Sequence, residues 1–215
     1  MAGLPPSALE ALPLFPLQEV VLMPGASLPL FVFEPRYKRM VRDALEGHRT
    51  LGIVQIVGAG PVDEHGHPKI ARIAGAGTIV DHTELPSGRY NIIVRGVARV
   101  ELTELPFVSP YRRAAAKVLV EQHDNVSSSA MAALISTATA FASVVKQRDS
   151  SFVFKMPKLS DAGSLADHCA QHLLIDGRDR QAVLETASVA DRVRLVTETL
   201  ALQQMSLVQG GGTMN

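Results

Sequence analysis

Short apolar runs separated by turn residues fill the first 120 residues, and this pattern constrains the fold more than any other feature. Turn signals rich in Gly and Pro divide the runs, which is typical of β-strands. Pro24-Gly25 is typical of a type II turn, since Pro fixes the first corner and Gly accepts the positive φ of the second. The predicted strands are residues 12–17, 28–33, 51–57, 70–82, 90–94, 97–102 and 113–120. The other predicted turns are residues 58–61, 66–68, 86–88 and 106–110.

One helix interrupts these strands. Pro35 suits the first helical position, because its missing N–H has no intrahelical partner there. An apolar stripe then follows at helical spacing, and Gly47 is placed to end the helix as a left-handed cap. The stripe consists of Tyr37, Met40, Val41, Ala44 and Leu45. Many strands with one covering helix predict a small barrel closed at one end.

The sequence pattern changes at residues 121–127, from short apolar runs to the periodicity of helices in the second half. Helices are predicted over 128–147, 164–174 and 179–186, and a last one opens with Ser188 and Asp191 at capping-box spacing. Ser164 and Asp167 form another such pair, Asp176-Gly177 is expected to end that helix, and residues 210–215 are expected to fray. The predicted class is therefore α+β, with a barrel over residues 1–120 and a helical bundle over 121–215.

The segment from Val126 to Val145 has no charged residue and is long enough to span a bilayer. Seven Ser and Thr side chains lie within it, which matches lipid poorly. Its larger apolar residues have helical spacing on one side: Met131, Leu134, Ile135, Phe141 and Val145. We therefore expect an amphipathic helix and no membrane partner.

Composition gives no global electrostatic attraction for polyanions. The chain has 21 Lys plus Arg and 21 Asp plus Glu, so its formal net charge is zero, and nucleic acid is not an expected partner. The basic run at Arg36, Lys38, Arg39 and Arg42 is interleaved with acidic residues that suit internal pairing. A single cysteine and a start without early basic residues favour a cytoplasmic protein.

Motifs for catalysis are missing from the sequence. No Lys follows a Gly, which excludes the phosphate-binding P-loop, and no G-x-S-x-G nucleophile elbow is present. We therefore expect no enzymatic activity and no cofactor. A small enzyme with a site in the barrel mouth remains an alternative, because Asp81, His82 and Glu84 are clustered in sequence.

Two histidine clusters raise the question of a metal site. His65 and His67 lie in a Gly/Pro turn, where a solvated hairpin tip is expected. His168 and His172 would be one helical turn apart, but the Glu of an H-E-x-x-H site is replaced by Cys169. We expect no bound metal at either cluster.

Several motifs recur in the order and spacing of one protein family. They are Leu12-Pro13-Leu14-Phe15-Pro16-Leu17, Val20-Val21-Leu22-Met23-Pro24-Gly25, Leu28-Pro29-Leu30 and Phe33-Glu34-Pro35-Arg36-Tyr37, followed by Leu85-Pro86-Ser87-Gly88-Arg89-Tyr90, Arg95-Gly96-Val97-Ala98-Arg99-Val100, Pro110-Tyr111, Leu165-Ala166-Asp167 and Asp191-Arg192. Together they resemble the N-terminal substrate-binding domain of Lon proteases over roughly residues 12–207.

The resemblance implies a PUA-like pseudo-barrel followed by a helical bundle, and a role in binding unfolded or partly folded proteins or peptides. The ATPase and peptidase modules of the family do not fit in the residues that remain, so a stand-alone binding module is expected. It would act as an adaptor or chaperone-like factor, with a protease, a chaperone or a second copy as further partners. RNA binding, which other PUA-like folds perform, is the alternative function.

The predicted protein-binding residues are Phe152, Phe154 and Met156, which lie between two helices and join no helical stripe. Their alternation indicates an extended strand with one apolar face. Three arrangements are open for this segment. It could cover its own helices, offer an edge to a client peptide, or seal a dimer.

Overall fold

The computed structural model describes residues 3–58, 60–158 and 161–210, without the side chains of 209 and 210. Within these residues it has six strands and six α-helices, which confirms the α+β class. Residues 211–215, which were expected to fray, lie outside the described residues. The strands are β1 (Leu12–Leu17), β2 (Ser27–Val32), β3 (Thr50–Gln55), β4 (Ile73–Leu85), β5 (Arg89–Glu104) and β6 (Arg113–Val118). The helices are α1 (Pro6–Glu10), α2 (Pro35–Glu46), α3 (Ser128–Arg148), α4 (Ala162–Leu173), α5 (Gly177–Glu185) and α6 (Val189–Gly210). The chain divides into two compact units between Leu119 and Val120: the barrel unit before this boundary and the helical unit after it.

Five strands of the first unit close into a ring. The sheet order is β2-β5-β4-β3-β1-β6, and β5 also pairs with β6. The long β5 makes this possible, because its first half pairs with β2 and its second half pairs with β6. The β1–β3 pair is parallel, whereas the other pairs are antiparallel. Strand β2 therefore lies outside the ring, beside the first half of β5.

Two glycines let the chain cross closely over this sheet. A Cβ at Gly75 would lie 2.0 Å from the carbonyl oxygen of Leu22, and one at Gly96 would lie 2.1 Å from that of Met23. Both crossing residues are fully buried. Gly96 is therefore a close-approach position inside β5 and does not end a strand. The prediction of two separate strands at 90–94 and 97–102 was wrong for this reason.

The predicted corner at Pro24-Gly25 is confirmed. The Ala26 N–H donates to the Met23 carbonyl at 3.1 Å, and Gly25 has φ 80°, as a type II turn requires. The left-handed cap predicted at Gly47 was wrong, because its φ is −105°. Arg49 adopts the positive φ (56°) instead, and its N–H donates to the Ala44 carbonyl at 2.7 Å.

Helix α2 covers the ring from one side with its apolar stripe. It begins at Pro35, as predicted, and its buried side chains are Tyr37, Met40, Val41 and Ala44. They pack in one apolar cluster with residues of β1 to β5, including Phe15, Ile53 and Ile92.

The second unit consists of helices α3 to α6, and their ends differ in part from the prediction. Asp161 caps α4 by accepting from the Ser164 N–H at 2.7 Å, so the predicted capping box with Asp167 is not formed. Asp176 was predicted to end a helix, but its carboxylate caps the start of α5. The Ser188 hydroxyl accepts from the Asp191 N–H at 3.1 Å, as expected at the start of α6.

Helix α3 packs against α6 and α4 within this unit. Its buried side chains are Leu134, Ala138 and Phe141, whereas Ile135, predicted to lie on the apolar side, is 40% exposed. By length and composition alone α3 could cross a membrane, and 17% of its apolar window is buried. The helix is thus more exposed than the amphipathic pattern suggested.

Candidate protein-binding surfaces

The predicted segment at residues 152–156 lies in the helical unit, against α3. Phe152, Phe154 and Met156 are half-buried and alternate with Val153, which is 72% exposed. Together with Thr139, Ala142, Ser143 and Lys146 of α3 they line a shallow groove of about 210 Å³. Within the described residues the segment pairs with no strand. It covers its own helices with one face and leaves Val153 to solvent.

A histidine pair supports this segment from α4. The Phe154 ring lies 5.6 Å from the His168 ring, which lies 4.5 Å from that of His172. The Nε2 atom of His168 is 3.3 Å from the Lys155 carbonyl oxygen. Burial lowers the pKa of both imidazoles, and the neighbouring His168 lowers that of His172 further. The neutral rings therefore form part of the packing under the segment.

A second surface, which the sequence analysis missed, lies on the barrel unit. The Phe31 and Phe33 side chains are 49% and 59% exposed, and their rings are 5.9 Å apart. Only seven phenylalanines and no tryptophan occur in the chain, so two exposed rings at one strand end are unusual for it. Large exposed apolar groups that cluster in this way are typical of interaction sites.

Strand β2, which carries Phe31 and ends just before Phe33, forms an open sheet edge. Among the described residues it pairs with β5 alone. Ala26 lies just before β2, and its carbonyl accepts from the Gly96 N–H at 2.8 Å. Because backbone groups of alternate residues point to the same side of a strand, the N–H and carbonyl groups of the even-numbered β2 residues face β5. We infer that the backbone groups of Ser27, Pro29 and Phe31 point away from the sheet. Pro29 fits this position, since an edge-facing proline gives up no ladder bond.

The strands next to β2 extend its exposed surface. Along β5, exposed or half-buried residues alternate with buried ones from Arg89 to Gly96. The side chains of directly paired residues project from the same side of an antiparallel sheet. Side chains from β2, β5 and β4 therefore share one face. We call this surface the outer face: Pro29 and Phe31 of β2, Asn91 and Ile93 of β5, and Asp81 and Thr83 of β4. The same residues line a groove of about 440 Å³.

The alternative of an enzyme in the barrel mouth gains no support from the side chains that suggested it. His82 pairs across the sheet with Ile92, and Glu84 pairs with Tyr90, so both project from the side opposite Asp81. The His82 Nδ1 atom is 3.2 Å from Nη2 of Arg49. The three residues therefore do not converge on one point.

A polar cleft of about 340 Å³ lies near the start of α2. Arg36 donates to the Glu34 carboxylate at 2.9 Å and stacks over the Tyr37 ring at 4.6 Å. Tyr37 itself packs on Phe15, with ring centroids 4.4 Å apart, in the core. Arg112 on the far wall is paired with Glu104 at 2.6 Å. The charges that line this cleft are thus largely neutralised by their neighbours.

The histidine turn of the barrel unit is exposed at His65, as expected, but packed at His67. His67 is buried, and its ring lies 4.5 Å from that of Phe107, which also contacts His65 at 4.8 Å. The Asp63 carboxylate accepts from the N–H groups of both histidines, and these bonds help to lower its pKa. Across residues 3–58, 60–158 and 161–210, no group of three or more His, Cys, Asp or Glu is placed to hold a metal ion.

Comparison with known proteins supports one family. A family model described as the ATP-dependent protease La (LON) substrate-binding domain matches residues 11–201. The Lon protease of Dictyoglomus thermophilum is 28% identical over 190 residues, which cover 87% of this chain and 24% of that protein. The Lon protease of Roseiflexus castenholzii is 29% identical over 210 residues, covering 96% of this chain and 26% of that protein. The chain spans about a quarter of the length of these curated relatives.

Two solved structures have the same fold. One is the crystal structure of a Lon N-terminal domain protein from Xanthomonas campestris, with a TM-score of 0.64 and 23% identity. That match covers 87% of this chain and 97% of the other. The second is the N-terminal domain of the Mycobacterium avium complex Lon protease, with a TM-score of 0.66, 13% identity, and coverage of 89% and 98%.

Proposed function

Because this chain belongs to the LON substrate-binding domain family, we propose that it is a non-catalytic module that binds unfolded or partly folded proteins. It would act as an adaptor or chaperone-like factor in the cytoplasm, and hand its clients to a protease or a chaperone. The sequence supports the non-catalytic part, since it holds no P-loop lysine and no nucleophile elbow.

One observation carries the proposal: the exposed aromatic pair Phe31 and Phe33 on an open sheet edge. Unfolded chains expose apolar side chains and unpaired backbone groups at the same time. The outer face offers apolar contacts beside the outward N–H and carbonyl groups of β2. Both kinds of complementarity therefore occur at one place, as in proteins that bind extended segments.

Affinity for a denatured model client tests this proposal. Fluorescence anisotropy with a reduced, carboxymethylated and labelled protein should give a Kd for the purified chain. Phe31→Ser combined with Phe33→Ser should weaken it about ten-fold or more, because buried aromatic anchors dominate protein interfaces. Circular dichroism should show that the double variant stays folded, since both rings are exposed in the free protein.

Two further variants give the experiment its controls. Val62→Ser removes an apolar side chain that is 56% exposed elsewhere on the barrel unit, and it should leave the Kd unchanged. Phe154→Ser probes the segment at 152–156 in the helical unit. If Phe154→Ser lowers affinity and the double aromatic variant does not, the binding site is in the helical unit. If the folded wild-type protein binds no denatured client, the proposed function is wrong.

A further inference from the structure

Two arginines flank the outer face along β5. Arg89 and Arg95 are exposed and alternate in register with Asn91 and Ile93, so all four project from the same side. The Arg89 guanidinium lies 5.7 Å from the centre of the Phe31 ring. Within the part of the chain that the structure describes, neither arginine forms an ion pair. Both cations are therefore available to a ligand.

The spacing of the two arginines matches that of an extended peptide. They are six positions apart in the sequence, which is roughly 20 Å along a strand. The apolar side chains between them are Ile93 on β5 and Phe31 and Pro29 on β2. A client segment in the same extended conformation would place its residues i and i+6 near the two guanidinium groups. Its residues i+2 and i+4 would lie over the apolar centre.

We propose that the outer face selects extended client segments with acidic side chains six residues apart and apolar side chains between them. This inference rests on the proposed function and assigns its substrate class. Charge complementarity supports it, because Arg89 and Arg95 lie at the two ends, whereas the one acidic residue of the face, Asp81, lies beside its apolar centre opposite Ile93. The Asp81 carboxylate would repel an acidic residue in the middle of a client segment. It would not repel an apolar residue at the same position.

A nucleic acid fits these observations less well. Two arginines roughly 20 Å apart neutralise too few phosphates for tight binding. The Asp81 carboxylate between them would repel any further phosphate group. The chain also has no net positive charge to attract a polyanion. A labelled single-stranded RNA of matching length therefore serves as a separate arm of the experiment.

Three labelled peptides test the proposal by fluorescence anisotropy. They share the centre Ser-Phe-Ser-Ile-Ser and differ in the flanking pair, which is Asp, Ser or Lys. The Asp-flanked peptide should bind about five-fold more tightly than the Ser-flanked one, as two exposed ion pairs allow, and the Lys-flanked peptide should bind most weakly. Arg89→Glu with Arg95→Glu should invert this order. Arg42→Glu, an exposed arginine on α2, should leave it unchanged.

The outcomes separate this inference from the proposed function. Equal affinities for the three peptides would overturn the inference, while the denatured client would still bind through Phe31 and Phe33. Tighter binding of the RNA than of the Asp-flanked peptide, lost in the double arginine variant, would also overturn it. Failure of the wild-type protein to bind the denatured client would instead overturn the proposed function. Higher salt should reduce the preference for the Asp-flanked peptide, because both arginines are exposed.

Discussion

Arg192 is the most deeply buried charge in the helical unit, and its replacement should unfold that unit at low denaturant. Its side chain is fully buried, and it forms ion pairs with Glu121 at 2.9 Å and with Asp167 at 3.5 Å. Asp167 on α4 is itself only 3% exposed. The guanidinium thus connects α6 to α4 and to the residues just before α3.

The size of the loss follows from this burial. Removing one partner of a buried ion pair costs about 3–5 kcal/mol, because the other charge stays buried without its counter-ion. The 3.5 Å separation between the Nε atom of Arg192 and the Asp167 carboxylate is long for a hydrogen bond, so this ion pair offsets only part of the desolvation cost. We therefore expect Arg192→Met to lower the free energy of unfolding by about 3 kcal/mol, the lower end of that range.

Urea unfolding followed by circular dichroism at 222 nm measures this loss, since the helices dominate that signal. Arg194→Met is the matched control, because Arg194 lies on the same helix but is 63% exposed and pairs with Asp191 at the surface. It should cost less than about 1 kcal/mol. Asp167→Leu combined with Arg192→Met should be more stable than Arg192→Met alone. A loss below about 1 kcal/mol for Arg192→Met, or strictly additive losses in the double variant, would refute the reasoning.

Three further predictions concern packing and protonation. Gly75→Ala should destabilise the barrel unit by more than about 3 kcal/mol, since its Cβ would meet a backbone carbonyl. Gly60 has open space around it, so Gly60→Ala should leave stability nearly unchanged, and thermal melting compares the two variants. Burial lowers the pKa of His168 and His172, so the helical unit should lose stability as pH falls below about 6.5, the pKa of an unfolded histidine. Between pH 7.5 and 5, the melting temperature of His172→Gln should fall less than that of the wild-type protein. Burial raises the pKa of the Cys169 thiol to about 12, so at pH 8 a disulfide reagent should modify it only after urea unfolding; rapid modification of the native protein would contradict the buried position.

Much of the fold could be predicted from the sequence, because its signals are local. Turn residues and strand periodicity located all six strands, and Pro35 marked the start of α2. The errors occurred where a local signal had two physical causes. Gly96 could end a strand or admit a close crossing, and Asp176 could follow one helix or cap the next. Only the tertiary contacts of those residues distinguish the alternatives.

The candidate binding surface was less accessible to sequence reasoning. The residues that alternate between exposed and buried along β5, from Arg89 to Gly96, can be read in the sequence. The sequence does not show which residues of the neighbouring strands lie on the exposed side. Which residues of β2 and β4 share that side depends on strand register, and register is a long-range property. The segment at 152–156 attracted the prediction because its apolar residues had no helical stripe. The structure places it on its own helices, and its role in binding stays a prediction.

Hydrogen exchange in the presence of a saturating denatured client tests the central claim most directly. The outward-facing N–H groups of Ser27 and Phe31 take no part in the inferred β2–β5 ladder, so they should exchange rapidly in the free protein. Client bound on the outer face should slow exchange at residues 27–33 and leave residues 152–156 unchanged. Protection confined to 152–156, with no change along β2, would contradict the assignment of the outer face as the binding surface.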